Sequence, residues 1–252
     1  MFKTFDYLIY SPHKSATQSV KATLAYSGFT VHHLHSSANF TPLEFSDSPR
    51  ESWPIENRIA LKLFLSQVKP KLIYIARDPI CRLRSSYFQS KHEDAMEFNG
   101  YKKDETPIFK KNIWELYEDF ISLIRSDSFP GKIDSILELE SIIGCDLLNN
   151  LQNRPGFCFF ESEDLTLYVL DFDKILLERE NYLSYCLNTR IISFVERNLT
   201  VQKEYREKYD SFKTLELGAE IENIIMKRYE KIYQLIAQLK TSVKPKRQAI
   251  IF

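Results

Sequence analysis

The spacing of apolar positions changes along the chain, and each change marks an element. Residues 5–11 (FDYLIYS) form an apolar-rich run of strand length, and residues 15–27 follow with Val20 and Leu24 at helical spacing among polar neighbours. Residues 30–34 (TVHHL) predict a second short strand. Residues 55–68 predict a helix, and residues 71–75 (KLIYI) a third strand that enters Arg77, Asp78 and Pro79. An aspartate carboxylate can accept from the free N–H groups of a first turn, and proline's fixed φ suits the first helical position. Asp78 and Pro79 therefore predict a helix running to about Lys91.

Strand and helix alternate three times over residues 5–91, which predicts an α/β fold with a central parallel sheet flanked by helices. Ligands of such sheets bind at the carboxyl ends of the strands. The C-terminal half is more helical. Residues 112–126 place Ile113, Tyr117, Phe120, Ile121 and Ile124 on one stripe; residues 219–240 do the same with Ile221, Ile224, Ile225, Tyr229, Ile232, Tyr233 and Ile236. Between them, residues 156–160 and 165–172 (LTLYVLDF) read as two strands joined by the acidic turn 161–164. The polar connections 36–54 and 92–111 have the length of binding loops or lids.

Composition narrows the function classes. With 252 residues, 44% of them hydrophobic, the chain can close a substantial core, and 34 basic residues balance 34 acidic ones. Whole-molecule attraction to nucleic acid or an anionic membrane is thereby removed, so an anion site must be local and no nucleic-acid partner is expected. The six glycines fit neither G-x-G-x-x-G nor G-x-x-x-x-G-K-[ST], which excludes the standard dinucleotide and Walker loops. Four cysteines without a C-x-x-C pair read as reduced thiols and point to a cytoplasmic location. The N-terminal sequence lacks a signal-peptide pattern and no stretch has the apolar length of a membrane span, which leaves peripheral membrane docking open.

The candidate chemistry sits in two segments. After the first strand the chain reads Ser11, Pro12, His13, Lys14, Ser15, Ala16, Thr17, Gln18, Ser19. A helix N-terminus offers unsatisfied N–H groups and partial positive charge; Lys14 adds a full charge, and Ser15, Thr17 and Ser19 add hydroxyls, which together make an anion cradle. The same residues also suit an ordinary strand-to-helix turn capped by its serines. The third strand supplies Arg77 at its carboxyl end, with Ser85 eight residues later, about two turns into the following helix. Arginine forks onto phosphate oxygens and serine completes the contact, so this pair suits a second phosphate. Taken alone, R-D-P is also a common capped helix start.

Together these segments resemble the sulfotransferase superfamily, in which a K-[ST]-G-T-[TS]-[SW] loop binds the 5′-phosphosulfate of PAPS and an R-[DN]-P-x(5)-S segment binds the 3′-phosphate. Lys14, Ser15, Thr17 and Ser19 fall on the first pattern, Arg77 and Ser85 on the second; Ala16 stands in place of the glycine and Gln18 in place of a hydroxyl residue. The later chain is similar to bacterial capsular polysaccharide synthesis proteins of the N-K-W-Y-S type. Asn198, Lys203, Tyr205 and Tyr209 echo that motif without its tryptophan.

The resemblance implies a single P-loop-like sulfotransferase domain over 1–252, with a nucleotide-binding core at 1–91, a helical, acceptor-side part at 92–240 and a tail at 241–252. It further implies PAPS as co-substrate with PAP as product, no metal, and a carbohydrate acceptor belonging to a polysaccharide or its lipid-linked precursor. The nucleotide contacts fall to Lys14, Ser15, Ala16, Thr17, Gln18, Ser19, Arg77 and Ser85, with Lys14 also catalytic at the bridging oxygen. An acceptor hydroxyl needs a base, and histidine is the side chain matched to neutral pH. His32, His33 and His35 cluster at the second strand, where alternation places His33 and His35 on one face. His35, furthest toward the carboxyl rim, is the expected base and His33 the reserve; a surface or core histidine is the other reading. The alternatives to an enzyme of this kind are a non-catalytic nucleotide-binding or assembly protein of a polysaccharide complex and a transferase using another activated nucleotide.

Overall fold

A computed structural model describes residues 5–34, 66–67, 69–99, 107–127, 135–197 and 204–241, without the side chains of 93–99, 107, 135 and 142. The expected helix at 55–68 apart from residues 66–67, His35, the polar connection 36–54 and residues 100–106 of the connection 92–111 lie outside the described residues; 92–99 and 107–110 of the latter are helical and not loop. The chain divides into two compact units that interleave in sequence: 1–77, 134–197 and 234–252 form the first, and 78–133 with 198–233 the second.

The first unit is built on a six-stranded mixed sheet in the order β2-β1-β3-β6-β5-β4. The strands are β1 (Tyr7–Tyr10), β2 (Val31–Leu34), β3 (Lys71–Ala76), β4 (Gln152–Arg154), β5 (Phe157–Glu161) and β6 (Thr166–Asp171). β2, β1, β3 and β6 pair in parallel, with registers such as Ile9↔His33 and Ile73↔Tyr168. β5 and β4 run antiparallel at the edge. The sheet is therefore not wholly parallel as the sequence predicts. Residues 162–165 are too short a link for anything but a hairpin, because parallel neighbours need a crossover of a dozen or more residues. Tyr182 fastens this edge: its hydroxyl donates to the Gly156 carbonyl (2.8 Å) and accepts from the Asp171 N–H (2.9 Å).

Alternation along the buried strands gives the sheet two apolar faces. Tyr7 and Ile9 of β1, Ile73 and Ile75 of β3 and Leu170 of β6 pack with Val20 and Leu24 of α1 (Thr17–Tyr26) and with Ile175, Leu183 and Leu187 of α7 (Phe172–Leu187). On the other face Tyr10, fully buried, donates its hydroxyl to Glu138 at 2.6 Å, which ties β1 to α5 (Ser135–Ile143). α6 (Leu147–Asn150) completes this part of the unit, where the Leu148 carbonyl accepts from Gln238 at 3.1 Å.

The second unit contains α2 (Pro79–Asn99), α3 (Pro107–Lys110), α4 (Ile113–Arg125), α8 (Arg206–Lys213) and α9 (Ala219–Arg228); α10 (Glu230–Thr241) begins in it and ends in the first. Asp78 caps α2 as expected, its carboxylate accepting from Cys81 N–H at 2.8 Å, but α2 continues to Asn99. The expected single helix over 219–240 is two, interrupted at Tyr229 (φ −114°, ψ 30°), whose buried ring lies 5.1 Å beneath the Arg82 guanidinium. Tyr87, Phe88, Phe120 and Phe212 form an aromatic core, and Tyr205 and Tyr209 add their rings to Phe88 at 5.8 and 5.3 Å. These two tyrosines of the C-terminal motif are thus core residues; Asn198 and Lys203 lie outside the described residues.

None of the four cysteines, at 81, 145, 158 and 186, is in a disulfide. Burial pushes the Cys158 thiol up to about 11 and raises Cys186 further, while Cys81 is exposed. The thiolate is the reactive species, so an alkylating reagent at neutral pH is expected to label Cys81 first and to reach Cys158 and Cys186 only on unfolding. Peptide mass spectrometry of a short reaction reads this order; early labelling of Cys186 would contradict the packing around α7.

Candidate functional site

The sheet order makes one position special. From β1 the chain crosses to β2 on one side and then returns past β1 to β3 on the other, so the connections diverge between the carboxyl ends of β1 and β3. A crevice at such a topological switch point is the standard ligand position in open α/β sheets. The two segments singled out from the sequence leave the sheet there: the turn 11–16 from β1 and Arg77 from β3.

Local hydrogen bonds hold these ends together. Ser11, fully buried, donates its hydroxyl to the Ile75 carbonyl (3.0 Å) and accepts from the Ile75 N–H (3.1 Å), which extends the β1–β3 ladder by a side chain where the backbone has begun to turn. One residue beyond β3, the Arg77 guanidinium donates to the Lys14 carbonyl and stacks 4.2 Å over the Phe172 ring. Arg77 thus sits on the backbone of the turn itself. The sequence assigned the two segments to separate phosphates; the geometry makes Arg77 and the Lys14 turn parts of one rim.

The turn has the alternating backbone conformation from which anion-binding concavities are built. Lys14 (φ 67°) and Ala16 (φ 57°) are both left-handed, with Ser15 between them on the ordinary side. Alternation of this kind turns successive N–H groups toward a common concavity. Ala16 is also the N-cap of α1; no side chain caps that end and no acidic residue occupies its first turn. The first N–H groups of α1 consequently lack intrahelical partners and carry the positive end of the helix dipole. Ser15 is fully buried, and its Oγ has no hydrogen-bond partner among the described residues. A buried hydroxyl left unpaired costs roughly 1–3 kcal/mol, which an acceptor oxygen entering the turn would recover.

The remaining predicted residues are distributed as follows. Thr17 is buried at the first position of α1. Gln18 Nε2 lies 3.0 Å from His33 Nε2, which links the turn to β2. His33 Nε2 is therefore engaged by Gln18. His32 faces elsewhere, its ring 5.4 Å from Phe5. Ser19 Oγ does not address the turn: it donates to the Arg197 carbonyl (3.1 Å) and accepts from the Arg197 N–H (2.9 Å). Ser85 belongs to the second unit, on α2 and buried.

No family model, curated protein or solved structure matches this chain. The chemistry of the site consequently rests on its own geometry. Lys14, Arg77, the Ser15 hydroxyl and the α1 N–H groups are nearly all donors, and a ligand that satisfies them must be rich in acceptor oxygens. Sequence reading missed Tyr10 and Glu138, whose pairing requires a helix 128 residues away, and Arg197, which no motif marks.

Two substitutions test this description of the turn. A left-handed conformation costs an L-residue about 1–2 kcal/mol, of which glycine's greater unfolded-state freedom offsets roughly half, so Ala16→Gly is expected to stabilise the protein by about 1 kcal/mol. For a chain of this length that is a rise of roughly 2–4 °C in Tm, read by thermal unfolding; a fall would show that Ala16 is not left-handed. Ser15→Ala, which removes an orphaned hydroxyl, is expected to leave the ligand-free Tm unchanged or raised, whereas a loss of several degrees would mean that Ser15 Oγ has a partner.

Proposed function

We propose that the β1–α1 turn binds the phosphates of an adenosine nucleotide and that the protein is a PAPS-dependent sulfotransferase acting on a hydroxyl of a carbohydrate acceptor. The observation that carries this reading is the seating of Arg77 on the Lys14 carbonyl at the switch point, beside a helix N-terminus without a side-chain cap and a buried Ser15 hydroxyl that has no partner among the described residues. The left-handed backbone at residue 16 supports it as well, because that is where the resembled loop carries glycine.

The residues present fit such a nucleotide. The α1 N–H groups, Ser15 and Thr17 would hold the 5′-phosphate oxygens, and Arg77, with its fork geometry, a further phosphate oxygen; from the sequence resemblance alone, Ser85 shares the Arg77 phosphate. PAPS, when bound, supplies the sulfuryl group. Lys14 neutralises charge that accumulates on the departing phosphate oxygen, and a preorganised donor of this kind is worth about 3–4 kcal/mol to the barrier. The acceptor proton needs a base; His35 is the sequence's choice, and His33 serves only after parting from Gln18. Polysaccharide or its lipid-linked precursor as acceptor, and bacterial surface polysaccharide synthesis as the setting, come from the family likeness.

One observation favours a second reading. The one described histidine of the expected pair has its Nε2 occupied by Gln18, as a nucleotide-binding protein without turnover would permit.

Isothermal titration and a transfer assay separate these readings. Adenosine 3′,5′-bisphosphate is expected to bind at least tenfold more tightly than 5′-AMP, and Arg77→Ala to erase most of that difference; equal affinities would remove the second phosphate from the site. Transfer of labelled sulfate from PAPS to a cell-wall extract is expected in the wild type and should fall roughly 100- to 1,000-fold in Lys14→Ala. Binding without transfer would favour the non-catalytic reading, and full transfer by Lys14→Ala would refute the role given to Lys14.

A further inference from the structure

Segment 191–197 has no helix or strand of its own, yet it is fastened along its length. Ile191 N–H donates to Ser184 Oγ of α7 at 3.1 Å, and Glu196 pairs with Arg179 at 2.7 Å. On the other side two hydroxyls of α1 and that of its C-cap receive it: Ser27 Oγ accepts from Ile192 N–H (3.1 Å), Thr23 Oγ1 from Val195 N–H (2.8 Å) and Ser19 Oγ from Arg197 N–H (2.9 Å), with Ser19 also donating back to the Arg197 carbonyl (3.1 Å).

The order of these contacts gives a direction. Ser19, Thr23 and Ser27 are spaced by four and share one face of the helix, spanning about 12 Å. Their partners run the opposite way, from Ile192 at the C-terminal end of α1 to Arg197 in its first turn, a length about 16 Å if fully extended. The segment is therefore a strap at about three-quarters of full extension that runs antiparallel to α1 and brings the Arg197 backbone to the first turn of the helix, the end that follows Lys14 and Ser15. Ile191 is buried and Phe194 packs against the core of the α1–α7 face, so the strap is anchored by side chains as well as by backbone. Arg197 itself is exposed, and its guanidinium makes no ion pair or hydrogen bond among the described residues, in contrast to Arg179 on the same strap's flank.

We propose that Arg197 is a further binding residue of the anion site, its guanidinium contacting an anionic group of the ligand at the α1 N-terminus, and that Ser19 is its positioning residue. This rests on the reading of the β1–α1 turn as an anion cradle. It assigns Ser19 a different task from the hydroxyl donation its sequence position implies: Ser19 holds the backbone of a cation that does the contacting. A site with Lys14, Arg77 and Arg197 around one helix end selects ligands carrying two or more adjacent anionic groups over monoanions.

Isothermal titration of the full chain with two probes, adenosine 3′,5′-bisphosphate and inorganic pyrophosphate, tests this separately from the nucleotide assignment. Loss of one charge-assisted contact is expected to raise the Kd of both probes about tenfold in Arg197→Gln, with Tm unchanged. Arg197→Lys should recover part of the affinity. Ser19→Ala should weaken binding less, and Arg197→Gln should add less in the Ser19→Ala background than in the wild type, because the side chain is then no longer held. Arg190→Gln, an exposed cation nearer the strap's other end, should bind as the wild type does; an equal loss there would reduce the effect to net charge and overturn the proposal. Wild-type affinity in Arg197→Gln would also overturn it, and weakening by Lys14→Ala in the same series would leave the nucleotide reading standing. If pyrophosphate binds and the nucleotide does not, the nucleotide reading falls and Arg197 is judged on pyrophosphate. If the wild type binds neither probe, both fall.

Discussion

The side-by-side termination of β1 and β3 is the constraint on which the rest of the site depends. Two parallel strands that end together must dispose of their last backbone groups without a further ladder, and here Ser11 does so by returning two hydrogen bonds to Ile75. With β1 halted at that point, the next residues can leave the sheet in alternating left- and right-handed conformations, and with β3 halted one residue before Arg77, the guanidinium falls on the Lys14 carbonyl. Among the described residues, Ser15 Oγ is left buried there without a partner, and a buried donor in that state loses the hydration it had in the unfolded chain.

Two departures from the resembled phosphate loop acquire physical meaning in this setting. Ala16 keeps the left-handed backbone that glycine would adopt freely, so the concavity survives at a cost in strain and not in shape. Gln18 replaces a hydroxyl that would face the ligand with an amide that reaches His33 on β2, linking the turn to the neighbouring strand. The first change affects stability, and the second affects which groups remain for chemistry.

Much of the sheet was legible because strands buried on both faces read as continuous apolar runs, as KLIYI does for β3, and because Asp78 and Pro79 mark a helix start by local stereochemistry. The antiparallel edge was legible only as two strands: the three-residue β4 is exposed along its length and leaves no apolar signature. The break at Tyr229 was hidden because the apolar spacing continues through it; a buried aromatic under Arg82 fits either one helix or two. In the site, Lys14 and Arg77 announced themselves through charge beside predicted strand ends. The roles of Ser19 and Gln18 could not be read, since both depend on partners, Arg197 and His33, that only the folded chain brings within reach.

The central claim is that the turn after β1 is a phosphate cradle completed by Arg77. Amide NMR of the isotopically labelled chain during titration with adenosine 3′,5′-bisphosphate tests it most directly, because a bound phosphate must perturb the N–H groups that hold it. Saturable, large downfield shifts at Ser15, Ala16, Thr17 and Gln18, with the Arg77 guanidinium signals moving in step, are the result this account requires. Saturating binding that leaves those four amides unmoved, with the perturbed residues on another part of the chain, would contradict it.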